Sequence, residues 1–188
     1  YKFDPQDPVM TVGGANLSLA LGPRDQRVIG EREDYVRFET LSLGSDLAIA
    51  GGVQVELFVT TDGPDTDFIV KLVDIYPDGY EAVVLDTPIR ARYRHGRRSE
   101  DVKFMTPGKP EKIKIDLWHT AITFEQGHKI GLHITSSNSP KFEVNDNSGT
   151  VPGESPTYRV ARNTILMSSS YPSALILPVL YNDNEETE

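Results

Sequence analysis

The sequence predicts an all-β fold, a jelly-roll β-sandwich. Three observations carry this prediction: short segments alternate apolar and polar residues, turns rich in glycine and proline separate them, and no segment sustains a helical period of about 3.6 residues. The chain has 188 residues, of which 38% are apolar. Because that length is enough to bury a full core, we expect a single domain over residues 1–188.

Composition argues against several functions. The net charge of −9 arises from 19 basic and 28 acidic residues, whereas partners of nucleic acid or anionic membrane carry clustered cations. The chain has no cysteine, which excludes thiolate catalysis, cysteine zinc sites and disulfides. No apolar run approaches the roughly 20 residues of a membrane helix. The cytoplasm is slightly favoured, while secretion and the oligomeric state stay open.

Both ends of the chain are predicted to be irregular. Residues 1–14 combine two prolines with a pair of glycines, which favours extended backbone and a sharp turn. Because the chain starts at Tyr1 without a methionine, we expect a longer protein and interpret residues 1–14 as a crossing from a preceding domain. The acidic residues 182–188 are expected to fray.

Alternation places the strands. Residues 53–59 have the pattern of a half-buried strand, whereas residues 67–76 are apolar on both faces and suit a central strand. A Pro-Asp-Gly turn leads to residues 80–94, predicted as a strand pair interrupted at Pro88. The later strands are predicted at residues 113–117, 128–136, 161–167 and 174–180, with a long polar loop at 138–156.

Residues 117–137 contain the only tryptophan, Trp118, and three of the four histidines. We expect a strand to end as this segment begins and a polar corner to precede the next strand. His119, His128 and His133 could bind a metal, but their spacing matches no zinc motif such as H-E-x-x-H. Alternation also directs His128 and His133 to opposite faces. The favoured interpretation is structural: His128 bonds backbone carbonyls at the corner, and His133 faces solvent or a packed edge.

We expect no catalytic residue and no cofactor within the chain. A serine hydrolase needs its nucleophile on a sharp turn, commonly in a G-x-S-x-G motif, together with a histidine base and an acid. No such pentapeptide occurs, and the serines lie in predicted strands or loops without the flanking glycines. A complete catalytic site is therefore not predicted.

The acidic loop DGPDTD has two interpretations. Asp62, Asp65 and Asp67 could bind calcium through their oxygens, although the EF-hand pattern is absent. The favoured alternative is an ion pair, since a buried aspartate at the start of a central strand needs a cationic partner. No metal site is predicted, and the calcium interpretation is kept as the minority one.

Arginines on a neighbouring strand can supply that cation. Arg90, Arg92 and Arg94 alternate with apolar or aromatic residues, so their guanidinium groups are expected on one face. A guanidinium can bind a carboxylate through two parallel hydrogen bonds. We predict an Asp67–arginine pair and leave the choice among the three arginines open.

The segment NDNSG, which begins at Asn145, could bind a sugar or a metal. Asparagine and aspartate also form turns by bonding their own backbone, and the turn interpretation is favoured. Aromatic residues make up 9% of the chain and mostly fall at strand positions, so support for sugar stacking is thin.

An ordered set of short motifs resembles a known family. No single motif is diagnostic, but the set covers nearly the whole chain. It comprises Asp4-Pro5, Asp7-Pro8, Thr11-Val12-Gly13-Gly14, Gly22-Pro23-Arg24-Asp25-Gln26, Asp65-Thr66-Asp67-Phe68, Tyr76-Pro77-Asp78-Gly79, Arg90-Ala91-Arg92-Tyr93-Arg94, Leu117-Trp118, Gly127-His128, Ser136-Ser137-Asn138, Asn145, Pro172-Ser173 and Leu177-Pro178. The chain resembles the C-terminal domain of the CocE/NonD hydrolases, a group that includes Xaa-Pro dipeptidyl peptidases and several esterases and acylases.

The resemblance implies a galactose-binding-like jelly roll that packs against a preceding α/β-hydrolase domain. In the family the catalytic serine, aspartate and histidine belong to that hydrolase domain, so none is carried over here. Trp118, Gly127 and His128 then form a recurrent corner, with Trp118 in or beside the inter-domain surface or against the sandwich rim. The expected role is a non-catalytic accessory domain that stabilises a serine hydrolase and helps to wall its substrate pocket.

Three positions depart from the family pattern. Lys129 stands where an arginine is common, and Met10 and His119 stand where prolines are common. These differences do not alter the expected fold, and they do not identify a substrate. Two other functions stay open: a stand-alone carbohydrate-binding module, and a jelly-roll adhesion domain stabilised by calcium.

Overall fold

A computed structural model describes residues 1–150 and 157–181, and within them the chain forms ten strands and three short 3-10 helices. The strands are β1 (Lys2–Phe3), β2 (Val36–Glu39), β3 (Leu47–Thr61), β4 (Asp67–Ile75), β5 (Glu81–Arg90), β6 (Glu111–Phe124), β7 (Lys129–Thr135), β8 (Ala161–Ser168), β9 (Tyr171–Pro172) and β10 (Ala174–Ile176). The helices are Gln26–Ile29, Ala91–Tyr93 and Ser99–Asp101.

The strands pair antiparallel in two sheets. One sheet has four strands in the order β2-β7-β4-β5. The other has six strands: it follows the order β1-β8-β3-β10, β6 runs along the opposite edge of β3, and β9 pairs with β8. This architecture confirms the predicted all-β jelly-roll sandwich, whereas the finer galactose-binding-like assignment stays a prediction.

The core lies between the two sheets. Inward-facing residues of β3 and β6 from one sheet and of β4 and β7 from the other share a single buried apolar cluster. Its members include Val53, Val55, Leu57, Phe68, Val70, Leu72, Ile113, Ile115, Leu117 and Ile134. The alternation read from the sequence is therefore the alternation between this core and the outer faces.

Two strand predictions were wrong in their bounds. Residues 81–90 form one strand rather than a pair, because β5 is an edge strand, where a proline at Pro88 is tolerated. The backbone then enters the helix Ala91–Tyr93, so the three arginines do not share one strand face. β6 does not end near Leu117 but continues to Phe124.

The first 14 residues are more ordered than predicted. Lys2 and Phe3 pair with β8, and the side chains of Phe3 and Val9 are fully buried. Met10 forms a β-bridge with Ser139. The burial of Phe3 and Val9 fixes the segment against the sandwich. The proline and glycine content of the segment gave no indication of this burial. The predicted acidic tail, residues 182–188, lies outside the described residues.

No helix within the described ranges is long and apolar enough to span a membrane.

Candidate functional site: a groove between two edge strands

A groove of about 690 Å3 opens along one side of the sandwich, between β5 and β6. Within the described part of the chain, β5 pairs only with β4 and β6 only with β3, so both sheets end at this groove. Its lining includes Arg90, Arg97, Lys114, Trp118 and Phe142. The groove therefore combines aromatic rings, charged groups and two strand edges that could accept further contacts.

Trp118 is held at the groove by a β-bulge. In β6, Leu117 and Trp118 together oppose the single residue Val53 of β3, which is the two-against-one count of a bulge. Trp118 has φ of 77° and donates its backbone N–H to Asp116 Oδ1 at 2.8 Å. Its side chain is 73% exposed. A large side chain in a left-handed conformation is uncommon, and such strain concentrates at functional sites.

Two residues of the groove lining, Arg90 and Asp67, belong to a buried ionic network. Arg90 donates from Nε to Asp67 Oδ1 at 3.0 Å and from Nη2 to Asp67 Oδ2 at 3.2 Å. Arg92 donates from Nε to Asp65 Oδ2 at 2.7 Å. Asn145 donates to both carboxylates, at 3.0 Å to Asp65 and 2.7 Å to Asp67. The predicted Asp67–arginine pair thus forms with Arg90, and Asn145 joins it to the Arg92 pair.

Arg94 does not join this network. It donates to the carbonyls of Ala91, at 3.0 Å, and Lys103, and its Nε lies 3.6 Å from Glu111. The helix after Arg90 redirects the chain, so successive arginines reach different partners.

The Asp67 carboxyl is strongly affected by its surroundings. Burial raises its pKa to about 6, and the hydrogen bonds from Arg90 and Asn145 act in the opposite direction. At neutral pH the group is ionised and paired. A buried pair of this kind fixes geometry, and removal of one partner leaves a costly unpaired charge.

The geometry favours ion pairing over calcium for the acidic loop. Asp62 Oδ1 accepts from Arg159 Nη1 at 2.8 Å and from the backbone N–H of Arg162 at 2.9 Å. Asp65 and Asp67 are occupied by the arginines above. In residues 1–150 and 157–181, no three histidine or acidic side chains are grouped as a metal site would require.

The three histidines of the tryptophan segment have separate environments. His128 Nδ1 lies 2.9 Å from Asp74 Oδ1, and its ring lies 4.5 Å from the Tyr76 ring. The prediction that the His128 side chain bonds backbone carbonyls was therefore wrong, because its ring is hydrogen-bonded to the Asp74 carboxylate of β4 instead. Gly127 supplies the corner with φ of 85°, and His119 is exposed on β6.

His133 is fully buried, so the prediction of a solvent-facing or edge position was wrong. It lies on the outer face of β7, but residues 26–35 cover that face. Its Nδ1 is 3.1 Å from the Tyr35 hydroxyl. Burial, together with the nearby positive charges of Arg37 and Lys71, lowers its pKa to about 3, so the ring stays neutral.

Sequence reasoning missed the cluster around Lys71. This lysine is only 1% exposed, donates from Nζ to Gln26 Oε1 at 2.9 Å and lies 5.3 Å from the centre of the Tyr35 ring. Burial lowers its pKa to about 8, and the negative charge of the Asp86 carboxylate acts in the opposite direction. The available signal was a lysine in the middle of a central strand that is largely apolar on both faces.

A second hollow, of about 460 Å3, lies further along the same two strands. Val84 of β5 and Ile122 of β6 line it together with Tyr76 and Leu21. Leu21 belongs to the loop of residues 15–22, in which Leu17 is fully exposed. Leu21 is also exposed, so this loop presents apolar side chains to solvent beside the hollow.

None of the serine hydroxyls in residues 1–150 and 157–181 is hydrogen-bonded to a histidine. Ser136 Oγ instead contacts the Tyr1 hydroxyl at 2.9 Å and Asn163 Nδ2 at 2.9 Å, and Ser137 Oγ accepts from the backbone of Val9. These serines join distant segments of the sandwich.

Fold and site together define an antiparallel two-sheet β-sandwich domain with a groove between β5 and β6. The chain belongs to the family of X-Pro dipeptidyl-peptidase C-terminal non-catalytic domains, whose model matches residues 3–176. It is 35% identical to the cocaine esterase of Rhodococcus sp. (strain MB1 Bresler) over 184 residues, which are 96% of this chain and 32% of that protein. The resemblance to the C-terminal domain of CocE/NonD hydrolases is therefore confirmed.

Solved structures show the same relation. An α-amino acid ester hydrolase matches with a TM-score of 0.86 and 31% identity, covering 96% of this chain and 32% of that one. An aminopeptidase from a marine-sediment Thaumarchaeota archaeon matches with a TM-score of 0.85 and 28% identity, covering 96% and 33%. The chain thus spans about a third of the length of these relatives.

Proposed function

We propose that the chain is the C-terminal accessory domain of an α/β-hydrolase that acts as a serine esterase, acylase or Xaa-Pro dipeptidyl peptidase. The observation that carries this proposal is the family match over residues 3–176. The chain also spans about a third of the length of relatives named as ester-cleaving enzymes. The domain stabilises the enzyme and helps to wall its substrate pocket. Its partner is the preceding hydrolase domain of the same polypeptide.

The internal contacts support a structural role. Two groups with strongly perturbed pKa values, Lys71 and His133, are buried beneath residues 26–35 rather than facing an open pocket. Acyl transfer needs a nucleophile, a base within hydrogen-bond reach and an oxyanion hole. The hydrolase domain would supply these groups.

The loop of residues 15–22 is the segment best suited to a pocket wall. Leu17 projects fully into solvent, and Leu21 borders the hollow lined by Val84 and Ile122. An apolar acyl or aromatic part of a substrate would gain about 25 cal/mol for each Å2 of apolar surface that it buries there.

Hydrolysis of an activated ester tests the proposal. We expect phosphonate-sensitive turnover from the full-length protein and none from the 188-residue chain. Turnover by the purified 188-residue chain that a phosphonate abolishes would overturn the assignment as non-catalytic. Lack of any hydrolysis by the full-length protein would overturn the assignment to a serine hydrolase.

One observation favours a second candidate, a carbohydrate-binding module: Trp118 is an exposed ring beside a groove. A glycan array with the 188-residue chain decides between the two. Specific sugar binding that Trp118→Ala abolishes would favour the module. The calcium-stabilised alternative predicts a melting temperature that falls when a chelator is added.

A further inference from the structure

We propose that the side of the sandwich opposite the groove holds a binding site for a small uncharged hydrocarbon, of the size of a benzene ring. The site is an apolar cavity of about 160 Å3 between the two sheets. Its lining includes Phe38, Leu57, Leu132, Ile134, Ile165 and Leu175. The site is separate from the proposed function, because the sandwich itself supplies these residues.

Short strands close this side of the sandwich. β2, at the edge of the four-stranded sheet, has four residues, and β10 of the six-stranded sheet has three. Phe38 of β2 and Leu175 of β10 line the cavity and are each half-buried. Behind them it reaches Leu57 of β3 and Ile134 of β7, which are at most 1% exposed. The cavity therefore extends from the surface of the sandwich to its core.

The side chains of the cavity favour an apolar ligand over water. Among the lining side chains that the structure describes, only Ser173 has a hydroxyl, amide or charged group. Its hydroxyl donates to the carbonyl of Leu166 at 2.7 Å and accepts from the backbone N–H of Phe58 at 2.9 Å. A buried water needs two to four polar partners, and this serine is already occupied by the protein. A polar ligand would lose its hydration without replacement.

The volume of the cavity sets the size of the ligand. Apolar cavities of about 150 Å3 lined by leucine, isoleucine and phenylalanine stay dry and bind benzene or xenon. Pockets for drug-sized ligands are larger, at about 300–1,000 Å3. A single ring or a short branched alkyl group therefore fits, and it would gain van der Waals contacts with Phe38, Leu57 and Ile134.

The mouth of the cavity allows entry. Met167 and Ala174 belong to the lining and are both exposed, Met167 by 64%. Methionine is unbranched and has three rotatable bonds, so its side chain can move aside for a ligand. The methyl group of Ala174 occupies little space. A small hydrocarbon can thus reach the cavity without unfolding of the sandwich.

Methyl nuclear magnetic resonance of the 188-residue chain, titrated with benzene, tests the proposal. We expect the methyl signals of Leu57, Ile134 and Ile165 to shift and to saturate at millimolar benzene or below. The signals of Ile49, which belongs to the same core but does not line the cavity, should not shift. Pyrazine has the size of benzene but carries two opposed nitrogen acceptors, and it should bind at least about tenfold more weakly because one acceptor would be buried without a donor.

A substitution at the mouth tests the location of the site. Ala174→Phe places a ring in the cavity from an exposed position, and we expect it to weaken benzene binding at least about tenfold, because the new side chain takes up the same space. Ala121→Phe is the matched control, since Ala121 is an exposed alanine of β6 on the other side of the sandwich. It should leave benzene binding unchanged.

Four results would overturn the proposal. The first is the absence of saturable shifts at the lining methyl groups of the unmodified chain. The second is an equal shift at Ile49, which would show that benzene partitions into the core at large. Equal binding of pyrazine is the third. The fourth is a loss of benzene binding in the full-length protein, which would assign the cavity to a side chain from the rest of the polypeptide. Ester hydrolysis is measured independently of all four, so the proposed function is decided by its own assay.

Discussion

Trp118 combines two properties that rarely occur together, a bulky side chain and a left-handed backbone. Its φ of 77° arises at the bulge where Val53 faces two residues of β6. Such strain costs on the order of 1–3 kcal/mol, and glycine adopts this conformation without a Cβ penalty. The exposed side chain therefore offers the sandwich little burial to offset this backbone strain.

Replacing Trp118 by glycine should leave the 188-residue chain more stable than replacing it by alanine. We expect Trp118→Gly to raise the free energy of unfolding by about 1 kcal/mol relative to Trp118→Ala, because only glycine relieves the strain. Urea denaturation of both variants measures the difference. A Trp118→Gly variant less stable than Trp118→Ala would show that the backbone conformation is not strained.

Lys71 makes stability depend on pH in the alkaline range. Its pKa is lowered to about 8 in the folded protein, against about 10.4 in an unfolded chain. Between these values the unfolded state binds more protons, so the free energy of unfolding rises with pH, by on the order of 3 kcal/mol in total. The groups facing this lysine include Gln26, Tyr35, Arg37, Asp86, His133 and Lys141.

The measurement is urea denaturation at several pH values between 8 and 10. Lys71→Met removes the titrating group and should remove the rise. A rise of equal size in Lys71→Met would assign it to another group of the cluster.

At the scale of elements, Asn145 ties the polar loop after β7 to the start of β4. Its amide bridges Asp65 and Asp67, and its side-chain oxygen accepts from the backbone of Asn147, as in the predicted turn. In Asn145→Ala the buried carboxylates of Asp65 and Asp67 each lose one hydrogen-bond donor. We expect this loss to lower the free energy of unfolding by about 2–3 kcal/mol. Thermal unfolding measures the loss. The exposed neighbour Glu143 is the control: Glu143→Ala should cost under about 0.5 kcal/mol.

His128 ties the β6–β7 corner to β4 through Asp74, a residue 54 positions away in the chain. We expect His128→Ala to lower the free energy of unfolding by about 1–3 kcal/mol, because it leaves the buried Asp74 carboxylate without this partner. Ester turnover by the full-length protein, measured well below its melting temperature, should be unchanged. Lost turnover at full thermal stability would instead place His128 in the chemistry.

For the whole molecule, the β5–β6 side is the one beside the proposed pocket wall, the loop of residues 15–22. It carries the groove of Trp118 and the hollow of Leu21 along the same two strands. Leu17→Asp in the full-length protein should raise KM for an apolar ester roughly tenfold, since a buried leucine contributes about 1.5–3 kcal/mol. Leu41→Asp, an equally drastic change on the opposite edge, should leave KM unchanged. Equal effects of both variants would exclude a specific role for the loop.

The sequence by itself determined the strands and the family. Alternation at residues 53–59 and the apolar segment at 67–76 reflect which side chains meet the core, and that information is local. The sequence also predicted that Asp67 pairs with an arginine, because a buried charge requires a partner of opposite charge. The ordered motifs named the family, which the comparisons then confirmed.

Only the tertiary structure decided the partners. Arg90 rather than Arg92 reaches Asp67 because β4 and β5 pair in that register. His128 meets Asp74, and Lys71 meets Gln26 across 45 positions of sequence, because sheet formation joins distant segments. The bulge at Trp118 exists only where β3 and β6 lose register. The alternation of apolar and polar residues along the chain indicates which side chains are buried. The register between paired strands decides which polar groups meet, and that register exists only in the folded sheets.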